Sequence, residues 1–526
     1  MLDESLRQPY VSKRELRKSL LQQLPPLGIP DIDARRLDCS DVQPAGRILV
    51  AAVVPSALST RSRDLKIPCR GAPTMKISAY NCLTSSFAPG KHLAFNALTG
   101  AFLSLDHERL DDYAALLASI GATGCPPDPV RPFQKTLIEN GFVIPDECDE
   151  QAEISNRYHG GKAASRGLGL TIAPTITCNF GCSYCFQNHS NTRMDDARIE
   201  DLLTFVEARL EAGTSLNVTW FGGEPLGAFD VIEKLAPRLH ALAMERDCTF
   251  GHSIITNGYL LTEPRAAFLA SVPGFGDAQV TLDGARKHHD VRRPTLAGKG
   301  TFDRILDNLV AAARHIPILV RVNVDRRNID GLEELLDALV ERGLRNVGVY
   351  LGHVWHYTDE VGATDILTKE EFAAIETQFK FLKFRKGFAI GAVLPQPKRG
   401  ALCSADSSNS FVLGPGGGIF NCWNEAHQDA RQAPGRYSPA TEPQPSDVKQ
   451  QWAQYEPSAK PECRSCHVAP LCMTGCPWEA AKVTERGDCI SARFNLADQL
   501  RLYDLEQSMA LADKAAQRPA DAAETS

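Results

Sequence analysis

Ten of the 16 cysteines fall into two clusters. Three lie in Cys178-Asn179-Phe180-Gly181-Cys182-Ser183-Tyr184-Cys185, a CX3CX2C pattern. The other seven run from Cys403 to Cys489: Cys403, thirteen residues, Gly417, four residues and Cys422, then Cys463, Cys466, Cys472 and Cys476 as CX2CX5CX3C, and Cys489 after twelve more residues. Clustered cysteines in a large chain without an export signal read as metal ligands rather than as a disulfide scaffold. Three close thiolates can hold three irons of a cube-shaped [4Fe–4S] cluster and leave the fourth iron open. A structural zinc site prefers four ligands and a closed shell. No fourth Cys or His completes the first loop, although His189 is near. The six scattered cysteines (Cys39, Cys69, Cys82, Cys125, Cys148 and Cys248) read as small buried hydrophobes.

The elements that must position the first loop follow from periodicity. From Gly167 to Tyr357, apolar strand patterns alternate with amphipathic helix patterns. Strands are expected at Leu168–Ile172, Leu216–Phe221, Ser253–Thr256, Ala278–Leu282, Ile318–Val324 and Val347–Leu351. Repeated βα units predict a parallel sheet with helices outside. Six strands are too few for the closed eight-strand barrel, so an α/β fold with an open, partial (β/α)6 barrel is expected. Such folds place their chemistry at strand C-terminal ends. There the chain carries Cys178 to Cys185, Trp220-Phe221-Gly222-Gly223-Glu224-Pro225, Thr256-Asn257-Gly258, Thr281-Leu282-Asp283-Gly284 followed by His289-Asp290-Val291-Arg292-Arg293, and Asn323.

The rest of the chain divides around this unit. Residues 1–74 are Pro-punctuated and poorly patterned, and Met1 and Met75 are both candidate starts. Residues 75–150 predict a small α+β domain, with strands around the Pro89-Gly90 turn, helices at Leu110–Ile120 and Pro132–Asn140, and a closing strand at Gly141–Ile144. The barrel is expected over 166–360, a bridging helix within 361–395 and the second cysteine region over 396–500. Within the last, Gln428–Pro461 holds six prolines and reads as a surface insertion or linker. An Ala-rich tail, 505–526, is expected to be frayed. The net charge of −7 argues against a general grip on nucleic acid or anionic membrane. No apolar run approaches the roughly 20 residues of a membrane span. A cytoplasmic protein of two to four domains is expected.

CX3CX2C with Tyr184 on a first barrel strand, followed by Gly222-Gly223-Glu224-Pro225, resembles the radical SAM superfamily. The second cysteine pattern resembles that family's SPASM extension, and the likeness runs from Gly167 to near Leu500. The resemblance implies that Cys178, Cys182 and Cys185 hold a [4Fe–4S] cluster whose open iron binds S-adenosylmethionine, which is cleaved to a 5′-deoxyadenosyl radical. It implies cofactor contacts from Tyr184, Gly222, Gly223, Glu224, Pro225, Thr281, Arg293 and Asn323. Glu224 would accept from the SAM ammonium, and Arg293, with Arg292 as the alternative, would pair with its carboxylate. Two auxiliary [4Fe–4S] clusters are implied: an outer one on Cys463, Cys466, Cys472 and Cys489, and an inner one on Cys403, Cys422 and Cys476. Residues 404–410 contain no fourth cysteine, so a non-thiolate ligand is expected on the inner cluster.

The 75–150 segment resembles the small peptide-recognition domain of ribosomal-peptide maturases. The leading expectation is therefore a maturase that takes hydrogen from a bound precursor peptide and forms a C–C or thioether cross-link. An electron donor such as flavodoxin or ferredoxin would serve it. An anaerobic sulfatase-type maturase forming formylglycine is the alternative. That family places an Asp directly after the cysteine corresponding to Cys422, where this chain has Trp423, Asn424 and Glu425. A non-catalytic iron–sulfur scaffold or electron carrier is the reading from another class.

Overall fold

The computed structural model describes residues 74–164, 166–355, 365–399, 403–438, 440–441, 456, 459–473, 475–476 and 488–516. The expected N-terminal extension, with Cys39 and Cys69, lies outside the described residues apart from Thr74, as do 517–526 of the tail.

The N-terminal part pairs β1 (Met75–Ile77) with β5 (Val143–Pro145) and builds an antiparallel sheet from β2 (Asn81–Ser85), β3 (His92–Asn96) and β4 (Phe102–Leu105). Two helices, α1 (His107–Thr123) and α2 (Pro132–Glu139), fall where apolar periodicity predicts them. Asp106 caps α1 by accepting from the Arg109 N–H. A third helix, α3 (Glu150–Ala164), has no counterpart in the sequence reading. Its buried pair Ile154 and Tyr158 stands in an otherwise polar segment, so no apolar stripe announces it.

Six strands then pair in parallel in chain order: β6 (Leu168–Ile172), β7 (Ser215–Trp220), β8 (Thr249–Thr256), β9 (Phe275–Thr281), β10 (Ile318–Val324) and β11 (Gly348–His353). Between them run α4 (Asp196–Arg209), α5 (Phe229–Glu245), α6 (Glu263–Ser271), the short α7 (Arg286–Arg292), α8 (Phe302–Ala312) and α9 (Leu332–Glu341). Alternation sets the two faces of the strands. On β10, Val320, Val322 and Val324 are buried in the main core, whereas Arg321 and Asn323 are half-buried on the other face.

The sheet extends beyond the expected six strands. After α10 (Lys369–Lys386), β12 (Ser410–Leu413) pairs in parallel with β6. The antiparallel β13 (Gly418–Phe420), β14 (Gly435–Tyr437) and β15 (Ala440–Thr441) complete a ten-stranded mixed sheet. The expected linker 428–461 therefore supplies two strands. Tyr437 anchors them: it is buried, donates to the Gly414 carbonyl at 2.8 Å and packs near Phe205. Pro439, Pro443, Pro445 and Pro457 lie outside the described residues.

Two one-turn helices, α11 (Pro461–Arg464) and α12 (Ala469–Cys472), precede α13 (Ala492–Ala516). The tail expected to fray from 505 is thus helical to Ala516, because Leu502 and Leu505 bury against Phe381 and Phe384 of α10. The N-terminal sheet is not a loose appendage. Tyr80, Leu93 and Phe95 share one core with Tyr158, Val468, Leu471, Leu496 and Leu500. Each fully buried side chain of this kind contributes roughly 1.5–3 kcal/mol.

Candidate metal and cofactor site

The loop carrying Cys178, Cys182 and Cys185 leaves the C-terminal end of β6 and is held on both sides. On one side the chain after α7 lies along it: Gly181 N–H donates to Pro294 O, Ser183 N–H to Arg292 O, and Leu296 N–H to Asn179 O. On the other side Gly223 N–H donates to Thr175 O and Glu224 N–H to Thr177 O. This approach explains the two glycines. A Cβ on Gly222 would lie 2.3 Å from Thr175 O, and one on Gly223 would lie 2.3 Å from Ile176 O. Whatever else they contact, these glycines clear space for the backbone that delivers Cys178.

Glu224 also has a part within the fold. It is buried, and Oε1 accepts from Leu226 N and from Thr256 Oγ1 at 2.6 Å, while Oε2 accepts from Asn257 N at 2.8 Å. The carboxylate thus ties the end of β7 to the end of β8 before any ammonium is considered. Burial pushes its pKa up, opposed by those donors and by Arg293. Pro225, also buried, starts the turn that Glu224 caps.

Tyr184 is the hub of the opposite side. Its hydroxyl donates to Asp283 Oδ2 and accepts from Arg293 Nη1 and, at 3.0 Å, from Asn323 Nδ2. Asp283 Oδ1 accepts from Asn323 N, and Asp283 N donates to His289 Nδ1. That last bond fixes the tautomer: the His289 proton sits on Nε2, which donates to Thr301 Oγ1, and Thr301 Oγ1 donates to Arg293 O. Burial, then Arg293 and Arg292, hold the His289 pKa well below its ordinary value. Arg292 turns away to Asp325 Oδ2 at 2.6 Å and Asn323 O. Arg293 is buried beside Cys182, and although Nε lacks a hydrogen bond in both arginines, Arg292 is ion-paired to Asp325 and, at 3.5 Å from Nε, to Asp283, whereas among the described residues no carboxylate pairs with Arg293. A buried guanidinium with an unmet donor fits a carboxylate ligand. Between the two alternatives the geometry favours Arg293. Thr281 sits buried at the end of β9.

The thiols fit cluster ligands. Cys178 is pushed up to about 12, first by burial and then by Glu224, Cys182 and Cys185. Three thiolates gathered in a buried place need a compensating cation. Among the described residues no three His, Cys, Asp or Glu side chains surround a single-ion position. The irons of a cube each take one thiolate, so its ligands can stand further apart. In the second region Cys422 is likewise pushed up to about 12 by burial, with Glu425, Cys403 and Cys476 as neighbours. Cys466 is raised by burial and feels Cys489 and Cys463. Cys403, Cys422 and Cys476 are thus neighbours, as are Cys463, Cys466 and Cys489, while Cys472 Sγ stands 4.0 Å from Asp488 O.

Sequence reasoning did not single out Asp283, Asp325 or Asn328, although all three are completely buried. Asp-Gly after a strand reads as a turn, and nothing local shows that Asp283 faces Tyr184, 99 positions away. The scattered cysteines also depart from expectation. Of those described, only Cys248 is buried, hydrogen-bonded to Glu211 O at the start of β8; Cys148 is exposed and Cys125 is disulfide-bonded.

Residues 172–339 match the Radical SAM superfamily. A serine-type anaerobic sulfatase-maturating enzyme of Klebsiella aerogenes is 24% identical over 317 residues, 57% of this chain and 77% of its own. A PqqA peptide cyclase of Ruegeria pomeroyi is 30% identical over 199 residues, 36% of this chain and half of its own. Among solved structures, native anSMEcpe with bound AdoMet and Cp18Cys peptide superposes with a TM-score of 0.52 at 17% identity, over 65% of this chain and 99% of that one, which shows a shared fold.

Proposed function

The chain carries a radical SAM domain over residues 172–339, and from that premise we propose that it is a maturase of a ribosomally made peptide. When bound, the cluster and S-adenosylmethionine supply a 5′-deoxyadenosyl radical that removes a hydrogen atom from substrate. The chain's own part is orientation. Cys178, Cys182 and Cys185 hold the cluster, Arg293 takes the methionine carboxylate, and Tyr184 and Asp283 fix the Arg293 fork. Neutral His289 holds the backbone of Arg293 through Thr301. In the second region Cys463, Cys466, Cys472 and Cys489 would hold an outer auxiliary [4Fe–4S] cluster and Cys403, Cys422 and Cys476 an inner one, which would supply an electron acceptor for closure of a C–C or thioether bond. A flavodoxin- or ferredoxin-type donor and a cytoplasmic setting belong to the same reading. No helix among the described residues is long and apolar enough to cross a membrane.

The observation that carries the peptide reading is the N-terminal sheet. The β2 end meets α13, where Arg501 Nε donates to Ser85 O and Asp504 accepts from Ser86 and Lys91. Among the described residues no strand pairs with the outer edge of β4, which leaves it open to strand addition by a leader peptide. Asn96 N–H donates to Ala101 O, so by alternation the Ser104 N–H points away from β3. The test is co-expression with small peptides encoded beside the gene, read by mass spectrometry. Loss of two hydrogens from one peptide is expected in the wild type, and a much smaller yield from Ser104→Pro, which removes one outward donor. An unmodified peptide set defeats the cross-linking reading. For the formylglycine alternative there is the sulfatase-type relative. Against it, Glu425 is engaged as a cap, accepting from Asn421 N and Cys422 N.

A further inference from the structure

Arg321 lies on the face of β10 opposite the apolar core, level with Thr281 on β9 and Tyr350 on β11. The same face carries Gln279, whose Oε1 accepts from the Tyr350 hydroxyl across β10. Because the helices cover the other face, this one lines the inside of the open barrel. The Arg321 side chain rises toward the mouth and lies over Gly352, where a Cβ would come within 2.6 Å of Nε. Nε donates to Asn323 Oδ1 at 2.8 Å, and the guanidinium carbon stands 6.0 Å from the Tyr350 ring centroid. Among the described residues no carboxylate forms an ion pair with it. Its sequence neighbours contrast with it: Arg326 pairs with Glu371 and Arg327 with Asp325.

A half-buried guanidinium without an acid partner is costly unless something else pairs with it. Here Nε is held by Asn323, the fork lies over Gly352 and also bonds the Tyr350 side chain, and the remaining N–H groups of the fork are open to a ligand. Asn323 also donates to the Tyr184 hydroxyl, which accepts from Arg293. Two forks therefore stand on either side of Asn323. One methionine carboxylate can occupy only one of them, and Arg293 is the one beside Cys182.

We propose that Arg321 is the carboxylate-binding residue of the substrate subsite, so that the substrate presents an acidic side chain or a free chain-terminal carboxylate inside the barrel. The inference rests on the reading of the site as a peptide-modifying radical SAM centre and names the substrate class it takes. A planar fork matches a carboxylate with two parallel bonds, which a lysine cannot reproduce.

The test uses the full chain, anaerobically reconstituted and loaded with S-adenosylmethionine, and two synthetic peptide pools of matched random sequence. One pool has Asp or Glu at a single varied position and a free C-terminus. The other has Asn or Gln there and a C-terminal amide. Wild-type protein is expected to retain the acidic pool over the amide pool by about tenfold, the worth of one charge-assisted bond. The ratio should fall to near one in Arg321→Gln and to an intermediate value in Arg321→Lys, which keeps the charge and much of the volume. Gly352→Ala, which drives a Cβ into the fork without touching the charge, should lower the ratio as well. Equal retention of the two pools by wild type overturns the proposal, as does an unchanged ratio in Arg321→Gln. A loss confined to S-adenosylmethionine affinity also overturns it, by giving the fork to the cofactor. Failure of the underlying reading would show separately, as absence of S-adenosylmethionine cleavage by the wild type.

Discussion

The two cysteine regions, both proposed to hold iron–sulfur clusters, stand on opposite kinds of scaffold. The loop 178–185 extends a parallel strand, lies between two backbone segments and is backed by a core of completely buried side chains such as Leu168, Trp220 and Phe180. The second set sits on short pieces: the three-residue turns Ser404–Asp406 and Trp423–Glu425 and the four-residue α11 and α12. The first site is positioned by the sheet whether or not iron is bound. Among the described residues the second has few hydrogen-bonded turns of its own, so their order draws on the ligands the region gathers and on the core shared with the N-terminal sheet. Metal affinity in such a region is in part folding energy.

The largest expected effects would break this contrast if they failed to separate. Replacing Cys178, Cys182 and Cys185 with Ala should abolish S-adenosylmethionine cleavage and remove about a third of roughly 12 irons per chain, with little change in thermal unfolding. Replacing Cys463, Cys466, Cys472 and Cys489 should remove a similar share of iron and lower the unfolding temperature more. Equal unfolding shifts for the two sets would mean that the scaffolds do not differ as described. A stoichiometric zinc load without iron–sulfur absorbance would remove the cluster assignment altogether.

A smaller effect sharpens the account of the barrel mouth. Arg292 is 4% exposed and bonds Asp325, which also pairs with Arg327. Arg292→Leu should cost about 3–5 kcal/mol in chemical denaturation, since it leaves the buried carboxylate short of a partner. A cost near that of a surface pair, about 1 kcal/mol or less, would show that Arg327 suffices.

The smallest concerns His289. Its folded pKa lies well below the ordinary value near 6.5, because burial and two neighbouring guanidinium groups oppose the charged ring. The unfolded chain therefore binds a proton that the folded chain does not. The stability from this site is present above about pH 6.5 and is lost as pH falls below it, by at most about 1.4 kcal/mol per pH unit. In urea titrations between pH 7 and 5.5 the wild type should lose stability more steeply than His289→Gln. Parallel slopes would count against a neutral, buried His289.

The sequence by itself determined which cysteines stand together and the scaffold class. Cysteine spacing is a one-dimensional property, and thiols with only three and two residues between them must share a loop wherever the chain goes. Repeated βα periodicity likewise forces a parallel sheet, because each apolar strand and each amphipathic helix face has to be covered by the next. Only the tertiary structure decided what holds the loop. Tyr184 meets Arg293 across 109 positions and Asp283 across 99, so no local pattern reports either bond. The backbone that passes beside Gly222 and Gly223, and the three donors that hold Glu224, are equally invisible in the spacing. Tyr437 pins strands inside a proline-rich stretch because its partner carbonyl comes from Gly414. Buried polar groups must find hydrogen-bond partners wherever folding brings them, and which partners those are is settled by three-dimensional proximity, which spacing along the chain does not encode.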